Sequence, residues 1–212
     1  MLRVEPRARL LDVWGGSTVL TNEYSFGLDG WGATSENNPL ASRTGAQPDF
    51  FKVKLGFTRF QRMPWHTAAS VNVETQWAGS KLLPQEELYL GGADSVRGYP
   101  EGDYLADHGI ITRIDYLMPC YFLPRAWHVP GSRTPLRDQM YVGPFVDHGY
   151  GQLRSVSTGE NQTSNMLSTG IGMQWNVKDD LALQLGWGYT LGDRPLTDDT
   201  RSAMYLSFRY QL

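Results

Sequence analysis

Long runs of strict two-residue alternation constrain this chain more than any other feature of its sequence. From Phe51, the residues Phe51, Val53, Leu55 and Phe57 fall on one face and Lys52, Lys54, Gly56 and Thr58 on the other. Ala69, Val71 and Val73 oppose Ser70, Asn72 and Glu74, with Trp77 closing the apolar side. Ile110, Thr112, Ile114, Tyr116 and Met118 oppose Ile111, Arg113, Asp115 and Leu117. The same pattern recurs over 167–175, 181–189 and 203–212, and more weakly over 5–14, 19–31 and 139–149. A period of two is the signature of strands with one apolar face. It predicts about eight strands, plus a weak run at the start.

Alternation of this kind suits a soluble sandwich or a membrane barrel, and three details favour the barrel. Several runs reach ten residues or more, whereas soluble strands average about five or six and a tilted membrane strand needs ~9–11. The apolar faces end in aromatics: Trp77, Trp175, Trp187, Tyr189, Phe208 and Tyr210. Such positions suit the interfacial girdles of outer-membrane barrels. The connections alternate in length. Gly15–Thr18, Met63–Trp65 and Lys178–Asp180 are short; Gly32–Asp49, Leu82–His108, Gly151–Ser164 and Gly192–Arg201 are longer. Short periplasmic turns and long outer loops give that rhythm. Cys120–Asp138 breaks it, being long where a short turn is due. Its four nearby prolines, Pro119, Pro124, Pro130 and Pro135, forbid a long helix. It reads as an extended periplasmic insertion or as a lip on the membrane surface.

Composition narrows the function classes. Charged residues are 19% and aromatics 12% of the 212 residues, with 23 Gly and 12 Pro. Globular chains average about 25% charged residues. A net charge of −3 provides no basic footprint for nucleic acid. The single cysteine, Cys120, excludes an intrachain disulfide, and no Cys/His spacing suggests a metal site. No phosphate-cradling loop is present, and no Ser/His/carboxylate set converges, so no enzyme activity and no cofactor are expected. His66, His108, His128 and His148 are scattered; Asp147 and His148 are adjacent and point to opposite faces of a strand. Asp103, Asp107 and His108 read as a solvated loop surface, and Asp179, Asp180, Asp198 and Asp199 as turn and loop charges.

The longest loop carries Leu88-Tyr89-Leu90-Gly91-Gly92-Ala93-Asp94-Ser95-Val96-Arg97-Gly98-Tyr99-Pro100-Glu101. One strand later comes Phe145-Val146-Asp147-His148-Gly149. A Leu-Gly-Gly prefix before Val-Arg-Gly-Tyr, followed by Phe-x-Asp-x-Gly, resembles the signature of the Omp85 superfamily. It resembles most closely the outer-membrane transporters of two-partner secretion, of the haemolysin secretion/activation type. The resemblance covers about residues 50–212 well, and 1–49 only by strand pattern.

It implies an antiparallel transmembrane β-barrel in the bacterial outer membrane, with this chain as the carboxy-terminal half of a sixteen-stranded barrel. Residues 1–212 are then one barrel segment, without the signal peptide and POTRA domains that precede the barrel in the family. It implies a loop folded back into the lumen through Val96, Arg97, Gly98 and Tyr99. Arg97 would pair with Asp147 on a lumen wall that also bears Phe145 and Gly149. It further implies export of a secreted exoprotein, with outer-membrane lipid and the barrel-assembly machinery as partners. Insertion of other barrels into the membrane is the alternative within the superfamily; a passive porin or a lipid-active barrel lies outside it.

Residue chemistry agrees with that pairing. Asp147 shares parity with Tyr141, Gly143, Phe145 and Gly149, opposite Met140, Val142 and Val146. A carboxylate facing lipid is costly, so the aliphatic set is expected to face lipid and Asp147 the lumen. The planar guanidinium fork suits a bidentate carboxylate contact in a confined site. Gly143 and Gly149 are expected to leave room on the wall for the incoming loop.

Overall fold

The computed structural model describes residues 1–28, 43, 45–46, 48–131, 133–156, 161–177 and 181–210. One ten-stranded antiparallel sheet dominates it. Its strands are β1 (Leu2–Val4), β2 (Arg7–Leu11), β3 (Gly16–Phe26), β4 (Phe51–Arg62) and β5 (Ala68–Ala78), then β8 (His108–Pro119), β9 (Met140–Gln152), β10 (Thr163–Val177), β11 (Leu181–Thr190) and β12 (Ser202–Tyr210). Each strand from β3 onward pairs with its successor in this series, giving a continuous meander. Between β5 and β8 lies a small separate hairpin of β6 (Leu88–Leu90) and β7 (Tyr104–Ala106). Among the described residues, β1 and β2 form one edge of the sheet and β12 the other.

Register follows the sequence pattern. Phe57 lies opposite Leu20 and Val73, and Ile114 opposite Val71 and Val146, so one face is mainly aliphatic and aromatic. Leu55, Ile114, Val146, Ile171 and Trp187 are exposed on that face. The opposite face carries Lys52, Gln76, Asp147 and Ser168, all buried. The inversion of the usual arrangement, apolar outside and polar inside, is that of a wall between lipid and a wet lumen.

Three local details depart from the sequence reading, each for a visible reason. The first strand is interrupted at Glu5–Pro6, because proline supplies no N–H to the ladder. The Asn22 N–H still reaches the Pro6 carbonyl at 3.0 Å, so β1 and β2 run end to end along β3. The first turn is Asp12–Gly15, not Gly15–Thr18: the Asp12 carboxylate accepts the N–H groups of Trp14 and Gly16, each at 3.0 Å, and closes the chain early. Gly143 does not make room for the loop. A side chain there would run into the Tyr116 carbonyl of β8, so its bareness lets two strands approach. Pro144 beside it accounts for the gap in the β8–β9 ladder between Asp115↔Phe145 and Met118↔Val142.

Apart from the 120–139 segment, the connections keep the alternating rhythm where they are described. Pro64–His66 forms a tight turn between β4 and β5, with Trp65 and His66 at φ 59° and 58°. Non-glycine residues pay roughly 1–2 kcal/mol each for that left-handed geometry. The 120–139 segment ends in a short helix, α1 (Leu136–Gln139), and lies at the same end of the sheet as that turn. Lys178–Asp180 and nearly all of Ala33–Gln47 lie outside the described residues, as does Ser157–Glu160.

The main apolar core is not between two sheets. It lies between the inner wall and the 79–107 connection, where Leu90, Val96 and Tyr99 meet Ile111 and Met166. The long connection is therefore folded against the polar face of the sheet.

Candidate functional site: an arginine brace on the inner wall

The site is built from a glycine-rich loop on one side and β8–β12 on the other. Gly91, Gly92 and Gly98 all have positive φ. At Gly98, with φ 97°, a side chain would come within 3.1 Å of the Gly188 backbone on β11. A side chain at Gly188 would in turn meet the Gly98 nitrogen at 2.7 Å. The loop and the wall thus touch backbone to backbone, which only glycine on both sides allows. Gly149 serves the same purpose for Val96, whose Cγ2 lies 2.6 Å from where a Cβ would stand.

This seating delivers Arg97 onto the wall. Its Nε and Nη2 donate to the two Asp147 carboxylate oxygens, each at 2.7 Å, and its backbone N–H donates to Asp147 at 3.0 Å. Nη1 donates to Asp115 at 2.7 Å. The guanidinium carbon sits 3.6 Å above the centroid of the Phe145 ring, a cation–π geometry. Asp147 is completely buried and Asp115 partly exposed, with side-chain exposures of 0% and 23%. One arginine therefore holds a bidentate buried carboxylate, a second carboxylate and an aromatic face at once. Arg113, which faces Asp147 across the β8–β9 ladder, donates to the Asp94 carbonyl at 2.9 Å.

Tyrosines fix the flanks of Arg97. The Gly98 N–H donates to the Tyr205 hydroxyl at 2.9 Å, and that hydroxyl donates to the Tyr99 carbonyl at 2.6 Å. Tyr99 is buried; its hydroxyl donates to the Asp193 carbonyl at 2.9 Å and accepts the Leu167 N–H at 3.3 Å. Val96, Arg97, Gly98, Tyr99, Phe145, Asp147 and Gly149 are thus brought into one site. Asp115, Gly188 and Tyr205 belong to it too, and sequence reasoning did not select them. Their signal was parity: each falls on the polar face of its strand. A cavity of about 300 Å³ adjoins the brace, lined by Arg97, Asp115, Gln174, Gln184 and Tyr205 among others.

Asp103, Asp107 and His108 are not a solvated surface. Asp107 is completely buried. It accepts two hydrogen bonds from Arg43 at 2.8 and 3.2 Å, and the N–H groups of Leu82 and Arg154 at 2.8 Å each. Asp103 accepts the N–H groups of Leu196 and Thr197 and the Thr197 hydroxyl. Three other connections at the loop end are therefore tied to two carboxylates of the 79–107 connection, which also carries Arg97. Burial alone would raise the Asp107 pKa. The Arg43 bond and the two N–H groups outweigh it and hold the carboxyl below its usual range. The ring of His108 accepts the Ala78 N–H at 3.3 Å. His148 lies on the face opposite Asp147 and contacts the Asn165 side chain at 3.0 Å. Among the described residues, no cluster of three His, Cys, Asp or Glu could hold a metal ion.

Comparison with known proteins places this arrangement. CdiB from Escherichia coli superposes with a TM-score of 0.70 at 17% identity, over 98% of this chain and 36% of that one. CdiB from Acinetobacter baumannii gives 0.62 at 15% identity, over 98% of this chain and 32% of that one. These likenesses concern the fold, and the chain spans about a third of the length of each structure. No curated protein matches. The profile of the family described as haemolysin secretion/activation protein ShlB/FhaC/HecB matches residues 9–175. The chain belongs to the ShlB/FhaC/HecB family of haemolysin secretion/activation proteins.

Proposed function

We propose that this chain supplies part of the wall of an outer-membrane pore that exports a partner exoprotein by two-partner secretion. The 79–107 connection serves as its lumen brace. The observation that carries the reading is the Arg97 guanidinium, clamped on Asp147 and Asp115 of the inner wall by a loop whose Gly98 lies against the backbone of that wall. The Arg97 contact adds a concentrated polar clamp to the apolar packing of Leu90, Val96 and Tyr99 on the wall, so breaking it should loosen the segment around Arg97. Holding the loop against the wall is the role of the site: its groups bind loop backbone and side chains to the inner face.

The exoprotein passes through the lumen unfolded, along the polar inner face. Outer-membrane lipid covers the apolar face, and the barrel-assembly machinery inserts the protein. Secretion of the partner exoprotein by the full-length transporter tests this. Arg97→Ala and Asp147→Ala should each reduce secretion while the barrel still assembles. Normal secretion by both variants would refute the brace. A full-length protein that inserts other barrels but exports no exoprotein would move it to the superfamily's other activity.

A further inference from the structure

Three consecutive connections at the short-turn end carry exposed aromatic side chains that no part of the brace uses. Trp14 stands on the β2–β3 turn, Trp65 on the β4–β5 turn, and Phe122 and Trp127 on the 120–139 segment; Trp65 is 81% and Phe122 77% exposed. Trp65 is presented by left-handed backbone. The Tyr121 hydroxyl donates to the Trp65 carbonyl at 2.7 Å, which joins the second connection to the third.

Among the described residues, the charge on this end is one-sided. Arg62, Arg125 and Arg133 are exposed and form no ion pair among the described residues. The described carboxylates here, Asp12 and Asp138, are each already paired with an arginine. Exposed aromatic rings with surplus arginines just beyond the ends of lipid-facing strands match the headgroup layer of a membrane. A neutral surface would satisfy the rings and leave the arginines unmatched.

We propose that the 120–139 segment, with the two turns before it, forms a lip that seats on anionic phospholipid headgroups. The proposal rests on reading the sheet as a barrel wall. It accounts for the one long connection where a short turn is due: its length places Trp127 and two arginines at the headgroup layer.

Fluorescence quenching tests it with the full-length protein in vesicles of phosphatidylcholine and phosphatidylglycerol, bromine being carried by one lipid at a time. Brominated phosphatidylglycerol should quench tryptophan emission beyond its share of the mixture. The Trp14→Phe/Trp65→Phe/Trp127→Phe variant should lose that excess. Arg125→Gln/Arg133→Gln should lower the phosphatidylglycerol preference by about fivefold or more, with its heat-modifiable gel mobility unchanged. Quenching in proportion to composition overturns the lip, as does an excess that survives both variants. Failure of the wild-type protein to insert into vesicles overturns the barrel reading and the lip with it.

Discussion

Removing the Asp147 carboxylate should cost far more than removing that of Asp115, although both bind the same guanidinium. Asp147 accepts three hydrogen bonds from Arg97, is completely buried, and shares the bidentate geometry. Asp115 accepts one and is partly exposed. Breaking a buried pair strands the surviving charge at ~3–5 kcal/mol, whereas a solvated pair is worth about 0–1 kcal/mol. Asp147→Ala should therefore destabilise the folded barrel by about 3–5 kcal/mol, and Asp115→Ala by about 1 kcal/mol. Arg97→Ala should fall at the lower end of the first range. Arg113 stands across the ladder from Asp147 and can swing toward the exposed carboxylate. The double variant should cost much less than the sum of the two singles, because the second change removes a partner already stranded. Urea titration of the full-length protein in detergent, followed by heat-modifiable mobility, measures all four. Equal costs for the two aspartates, or additive costs for Arg97 and Asp147, would refute the argument.

Three more outcomes follow from the geometry. Gly98→Ala should destabilise the loop by roughly 1–2 kcal/mol through its left-handed backbone alone, and the approach to Gly188 adds to this; protease cleavage within 91–103 reads it out. Tyr205→Phe removes a hydroxyl that serves both the Gly98 N–H and the Tyr99 carbonyl, at about 1–3 kcal/mol, and should expose the same segment without unfolding the barrel. Asp107 is the acid-sensitive point of the outer connections. Its depressed pKa stabilises the fold above the ordinary carboxylate range, and that contribution is lost as pH falls through the folded value. Proteolysis of the outer connections should rise below about pH 4 in the wild type, and Asp107→Asn should already be cleaved readily at neutral pH.

The wall was legible because its residues obey a rule of period two that local chemistry alone imposes. Phe51–Thr58 and Ile110–Met118 could be assigned strand, face and side from parity. Asp147 was placed on the inner face by the cost of a carboxylate in lipid. Less legible was whatever depends on partners distant in sequence. Leu88–Leu90 and Tyr104–Ala106 are too short for periodicity to register, and pair only because the loop folds back. Asp103 and Asp107 read as solvated because nothing nearby in sequence pairs with them; Arg43, Arg154 and the Leu196–Thr197 N–H groups arrive from other connections. Gly143 misled for a related reason. A bare position on a wall invites a loop, but here the Tyr116 carbonyl of the neighbouring strand takes the space.

Disulfide trapping of the loop on the wall tests the brace most directly. Val96→Cys and Gly149→Cys, in a Cys120→Ala background of the full-length transporter, place two thiols where the Val96 side chain now rests on bare backbone. Oxidation in intact cells should form an intramolecular disulfide in assembled barrels and halt exoprotein secretion, and reduction should restore it. Assembled barrels that form no cross-link, or that secrete normally while cross-linked, would contradict a loop seated on the inner wall and released for transport.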